Sequence, residues 1–263
     1  MSNKYLGRDD APFGLDVWDV LDQSMIKAAK SQLVGRRLLE IEGPFGLGLK
    51  SIPLDDREVE PGLFASASMP LMLIQQTFAL PTRDLASYER QPLTLSTTPL
   101  VEAAMACATQ EERLVFHGAG DAPGLLNADG VKAMDLSEWD EVGAAANDVI
   151  GAVTTLDEAG VHGPYALALA PQRYNLLFRR YERGNASEME HVKTMVTEGV
   201  FKAPILESGG VLLATGRRFA SIVLGQDMTI GLIGPAGDAV EFTISESLAL
   251  RLREPASVCV LNG

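Results

Sequence analysis

The chain has 263 residues, 46% hydrophobic and 22% charged, and its 22 basic and 35 acidic side chains leave a formal charge of −13. That length and composition exclude a disordered chain and allow a substantial core, in one large domain or two smaller ones. The acidic balance argues against nucleic acid as a partner, because binding the phosphate backbone needs a basic surface. Cys107 and Cys259 each sit in an apolar run, the pattern of buried thiols in a reducing compartment. No basic start followed by an apolar run marks a signal peptide, and no apolar stretch is long enough to span a bilayer, so a cytoplasmic protein is expected.

Residues 1–13 are polar and contain Pro12, which suits an arm rather than core. A helix is predicted over residues 16–34, with Asp16 capping its start and Gly35 in the left-handed turn after its end. Trp18, Leu21, Met25, Ala29 and Leu33 recur at steps of three or four and share one face. That stripe reads either as packing within the subunit or as the wall of a docking groove. Residues 43–70 hold Gly43, Pro44, Gly46, Gly48, Pro53, Pro61 and Gly62, with a charged cluster from Asp55 to Glu60. So long a stretch is awkward as a compact internal loop. A projecting hairpin that meets a neighbouring subunit explains it, and a mobile surface loop is the alternative.

Strand material follows at residues 71–74 and 77–80. Pro99 suits the first position of a long helix capped by Thr97 or Thr98. Leu100, Ala103, Ala104, Cys107, Ala108, Leu114 and Val115 carry its buried side to about Phe116. From Asp135 short strands and helices alternate. A helix after Ser137 carries Trp139, Val142, Ala146, Val149 and Ile150; residues 165–170 form a strand of small apolar residues; Pro171 opens another helix. A polar loop at residues 183–188 precedes a helix over 189–196, and strands then dominate at 211–214, 221–224, 228–233 and 240–252.

Catalytic motifs are missing. His117, His162 and His191 are isolated from one another, there is no Cys-x-x-Cys, and no Gly-x-Ser-x-Gly elbow, so no metal or nucleophile site is expected. Gly46-x-Gly48 lacks a third glycine at Ser51, which rules against a dinucleotide loop. Adjacent carboxylates such as Asp55 and Asp56, or Glu111 and Glu112, point apart on a strand or helix and make poor acid–base pairs. His162 reads as a turn histidine or, less simply, a catalytic one. Enzymatic function has no positive support.

Several segments, in order, resemble one family. They are Ala11-Pro12-Phe13; the run from Ser31 to Gly46; Arg113-Leu114-Val115-Phe116-His117-Gly118; the Gly160 to Tyr165 turn; Leu224 to Gly231; and Phe242 to Ser247. Together they resemble the encapsulins, the linocin-like shell proteins with a phage-capsid fold, through nearly the whole chain. The resemblance implies an α+β, HK97-type capsid fold: an N-terminal arm and helix at 1–42, an extended loop at 43–70, a peripheral domain with the spine helix at 71–134 and 219–263, and an axial domain at 135–218. It implies a non-enzymatic shell protomer in an icosahedral homo-oligomer of about 60 copies. The cargo that the resemblance implies is a ferritin-like protein or a dye-decolorising peroxidase, held by a C-terminal targeting peptide.

By the same resemblance, Trp18, Leu21, Met25, Ala29 and Leu33 of the first helix take a mixed role, part packing and part peptide groove, with Asp227, Met228 and Ile230 beside them. Gly184, Asn185, Ala186, Ser187 and Glu188 line a five-fold pore, mildly acidic and suited to cations. Some members carry a tryptophan linked to flavin where this chain has Arg83, so no cofactor carries over, and no membrane or nucleic-acid partner is implied. A phage or prophage major capsid protein and a hydrolase or peptidase are the rival readings.

Overall fold

The computed structural model describes residues 4–91, 94–182 and 184–263. Short 3-10 turns at Lys4–Leu6 and Arg8–Asp10 lead into α1 (Leu15–Lys30) and α2 (Gly35–Leu38). Strands β1 (Glu40–Glu42), β2 (Ser51–Pro53), β3 (Arg57–Glu60), β4 (Leu63–Ala65), β5 (Ser68–Pro70) and β6 (Met72–Pro81) follow, then α3 (Thr82–Arg90) and α4 (Thr98–His117). Next come β7 (Lys132–Asp135), α5 (Ala144–Glu158), β8 (Tyr165–Leu169), α6 (Pro171–Leu176), α7 (Glu188–Met195), β9 (Val200–Lys202) and β10 (Gly210–Ala214). The chain ends with β11 (Ala220–Ala236), β12 (Ala239–Leu252) and β13 (Val258–Asn262).

Two compact units result: Met1–Leu33, Gly43–Glu111 and Val223–Ala249 in one; Val34–Glu42, Glu112–Ile222 and Leu250–Gly263 in the other. A four-stranded sheet has the order β1-β11-β12-β6.

In the first unit β6 and β12 pair antiparallel in unbroken register, from Ala239 opposite Pro81 to Leu248 opposite Met72. Val240, Phe242 and Ile244 alternate inward along β12, as do Ile74, Phe78 and Leu80 along β6. Phe242 stacks on Phe78 at 5.0 Å and meets the edge of Trp18 at 5.9 Å, which seats α1 on the sheet. The buried side of α1 is Val17, Trp18, Leu21, Met25, Ala28 and Ala29. The helix is shorter than its apolar pattern predicts. It ends at Lys30, its N-cap is Gly14 rather than Asp16, and Gly35 opens α2 instead of closing α1. Leu33 keeps the apolar spacing beyond Lys30 because it packs with Ala29 and Ala108.

The extended segment forms two hairpin ladders, β2 with β5 and β3 with β4. Ile52 is buried against Val223 and Ala249, with Leu49, Met69 and Leu71 beside it. It is therefore covered within the subunit. Every residue of β3 and β4 is exposed, including Val59, Leu63 and Phe64.

In the second unit a five-stranded sheet has the order β7-β13-β10-β8-β9. β10 lies antiparallel to both neighbours, whereas the outer pairs β13–β7 and β8–β9 are parallel. β8 and β10 are buried throughout, which is why they read as continuous apolar runs rather than alternating ones. Helix α5 covers this core but starts at Ala144, so Trp139 is not on it. Trp139 sits in the preceding loop with φ of 59°. Its indole N–H donates to Asp148 Oδ2 at 2.7 Å, and the Ser137 backbone N–H donates to the same oxygen at 2.8 Å. A side chain one turn into α5 thus folds the loop back, and the helical spacing of Trp139 is coincidental.

Candidate functional site: an acidic groove beside the first helix

A groove of about 950 Å3 opens in the first unit. One wall is the outer edge of α1, with Leu15, Trp18, Asp19 and Asp22. These four follow steps of three, one and three, a second helical stripe beside the buried one. The N-terminal arm supplies Leu6, Arg8 and Asp9; the segment Pro44, Phe45, Gly46 and Leu47 supplies another wall; Gly225, Gln226, Asp227 and Thr229 of β11 complete the lining.

Local chemistry fixes each wall. The backbone N–H of Phe45 donates to the Leu224 carbonyl at 3.0 Å, and that of Gly46 to Gly225. Gly43 lies at φ of 109°, and a Cβ there would sit 2.5 Å from the Leu224 carbonyl oxygen, so only glycine brings this segment so close to β11. Gln226 is clamped from below: its N–H donates to Ser247 Oγ at 2.9 Å and its side-chain amide to Ser245 Oγ at 2.9 Å. Asp227 turns outward, accepting from the Met228 N–H at 2.8 Å. Arg8 Nη2 lies 2.7 Å from Asp22 Oδ2, and its guanidinium stands 4.1 Å over the Trp18 ring.

The lining holds four aspartates and one arginine, with Leu15 at 81% and Phe45 at 63% exposure supplying apolar edges. Such a surface is complementary in charge and polarity to an extended chain that carries apolar side chains and positive charge.

Of the residues that the sequence places in a groove, Trp18 and Asp227 line it. Leu21, Met25, Ala29, Leu33 and Ile230 are buried instead. Ala29 and Leu33 pack with Ala108, and half-buried Met228 lies against that cluster. Sequence reasoning missed Leu15, Asp19, Asp22, Arg8 and the Pro44 to Leu47 wall. The i, i+3, i+4, i+7 spacing of Leu15, Trp18, Asp19 and Asp22 was the signal available.

The loop before α7 exposes Gly184, Asn185 and Ala186; Arg183 lies outside the described residues. Ser187 closes a capping box, donating its N–H to Glu190 Oε2 at 2.6 Å and accepting the Glu190 N–H at 3.3 Å. Glu188 corrects the sequence expectation, because it is fully buried and cannot rim an opening. Its Oε1 accepts the N–H groups of Gly143 at 2.9 Å and Ala146 at 3.1 Å, and Arg179 Nη2 lies 3.5 Å from Oε2. Gly143 has no side chain to cap α5, so Glu188 supplies that cap from a distant segment. Glu182, which precedes the loop, is exposed. At the base of the loop Tyr181 Oη and His191 Nδ1 are 2.9 Å apart.

His162 Nδ1 lies 3.0 Å from Asp157 Oδ1, to which Tyr165 also donates at 2.9 Å. Hydrogen bonds from His162 and Tyr165 hold the Asp157 carboxyl below the usual range. Burial and the Asp157 charge push the Tyr165 phenol up to about 12. This cluster ties the end of α5 to the start of β8, the turn role expected of His162. Among the described residues no three His, Cys, Asp or Glu side chains stand where they could hold a metal ion. Among them, too, no helix is long and apolar enough to cross a membrane.

The fold is that of HK97-type capsid subunits. Over 94% of this chain and 99% of the other, it matches the virus-like particle of Pyrococcus furiosus with a TM-score of 0.77 at 24% identity. The capsid of Myoviridae phage XM1 matches at a TM-score of 0.61 and 13% identity, covering 86% of this chain and 89% of that one. The family model Linocin_M18, described as "Encapsulating protein for peroxidase", matches residues 3–249. The type 1 encapsulin shell protein EncA of Myxococcus xanthus is 30% identical, covering 98% of this chain and 96% of its own. A diheme-cytochrome–encapsulin shell fusion protein of Kuenenia stuttgartiensis is 29% identical over 93% of this chain and 72% of its own. The chain belongs to the encapsulin shell-protein family.

Proposed function

We propose that the acidic groove holds the C-terminal peptide of an enclosed protein on the wall of a closed shell of about 60 copies. The carrying observation is the groove lining, in which four aspartates and one arginine lie between exposed apolar edges. Each apolar anchor that a peptide buries contributes ~1.5–3 kcal/mol before ordering costs. One groove therefore binds weakly, and an oligomeric cargo gains from presenting several tails to many identical sites. The enclosed protein is a ferritin-like protein or a peroxidase handling iron or oxidative stress. A relative whose name joins a shell protein to a ferritin-like protein, and a family description that names a peroxidase, support that class.

In this assignment residues 71–134 and 219–263 form the peripheral domain and 135–218 the axial domain. The loop of Gly184, Asn185, Ala186 and Ser187 rims an axial opening in a shell that works in the cytoplasm. Glu182 supplies the exposed negative charge that favours cations there.

The test is co-expression with a green fluorescent protein whose C-terminal nonapeptide alternates leucine and arginine. Asp19 and Asp227 are exposed, so Asp19→Lys with Asp227→Lys should leave shell yield unchanged and cut loading at least about tenfold through like-charge repulsion. Full loading by this variant would reject the groove.

A further inference from the structure

We infer that Trp18 and Asp22 form a guanidinium-binding subsite, which the protein's own Arg8 fills until an arginine of the incoming peptide displaces it. The inference rests on the proposed peptide groove. Arg8 already makes both contacts that a bound arginine needs. Its Nη2 meets the Asp22 carboxylate at 2.7 Å, and its planar guanidinium covers the Trp18 ring at 4.1 Å. Both partners remain partly open to solvent, at 21% for Arg8 and 32% for Asp22, and an ion pair so exposed is weak enough to exchange.

The arm is built for such an exchange. Leu6 is buried, and a Cβ on Gly231 would lie 3.1 Å from its carbonyl oxygen, so the arm is anchored close on β11. Gly7, at φ of 62°, then turns the chain so that Arg8 reaches over Trp18. Arg8 can rotate into water while Leu6 stays in place. A peptide arginine taking its position restores the same charge pair and the same stacking, so the exchange leaves no carboxylate without a cation. A peptide lacking a cation meets an occupied subsite and displaces Arg8 at a loss. Arg8 thus acts as an internal competitor that lowers every peptide's affinity and penalises uncharged ones most.

The experiment compares wild-type, Arg8→Ala and Arg8→Lys shells, each co-expressed with graded amounts of the leucine–arginine reporter or a twin with glutamine for arginine. Particle yield checks assembly in every variant. Removing the competitor should lower the reporter level needed for half-loading by about tenfold in Arg8→Ala. Arg8→Lys, which keeps the charge but loses the planar stack, should fall between. The glutamine twin should load poorly in wild type and improve in Arg8→Ala. Wild-type loading that Arg8→Ala leaves unchanged, or weakens, overturns the exchange and leaves the groove standing. No loading of either reporter in any shell overturns both.

Discussion

Glu188 sits beside a polar loop in sequence, yet its carboxylate is spent on backbone N–H groups 42 and 45 residues away. Replacing it with alanine orphans the Gly143 and Ala146 donors and should cost about 1–3 kcal/mol. Glu188→Gln, which keeps an acceptor and loses the pair with Arg179, should cost less. Thermal unfolding checks the order of the two, and an alanine variant as stable as wild type would remove the capping role. No spacing rule in the sequence links residues so far apart, so this role was not legible there. The groove was partly legible for a related reason. Trp18 was marked by hydrophobicity, and the same rule drew in Leu21 and Met25, which are buried. Asp19 and Asp22 face outward and carry no apolar signal, although they set the charge of the groove.

At the level of elements, alternation along β6 and β12 and the unbroken apolar runs of β8 and β10 were readable, because each pattern reports burial directly. Helix limits were less so. Apolar spacing runs on past Lys30 to Leu33, and it takes in Trp139 before α5, since burial outside a helix mimics burial on one. The extended segment keeps its glycines, prolines and charges where a hairpin needs them, and the β3–β4 ladder leaves Val59, Leu63 and Phe64 in solvent. A two-stranded ladder exposed on every residue is marginal alone and gains stability by docking. Deleting Asp55 to Glu60 should therefore impair shell closure far more than subunit folding. Circular dichroism of the variant should match wild type while gel filtration loses the particle peak; normal particles would reject the interlocking role.

For the whole molecule, the ordered set of motifs carried more than any one of them. Phage capsids share the fold at 13% identity, so shape alone leaves a capsid and a compartment equivalent. The family match over residues 3–249 decides for the compartment. The oligomer itself was not legible from composition, for a charge of −13 on each copy opposes association and must be met by screening and by buried contacts between copies. Native mass measurement of the purified protein, with negative-stain images of the same sample, tests closure most directly. Uniform hollow particles with a mass of about 60 chains are predicted. Monomers or dimers alone in mild buffer would contradict the account.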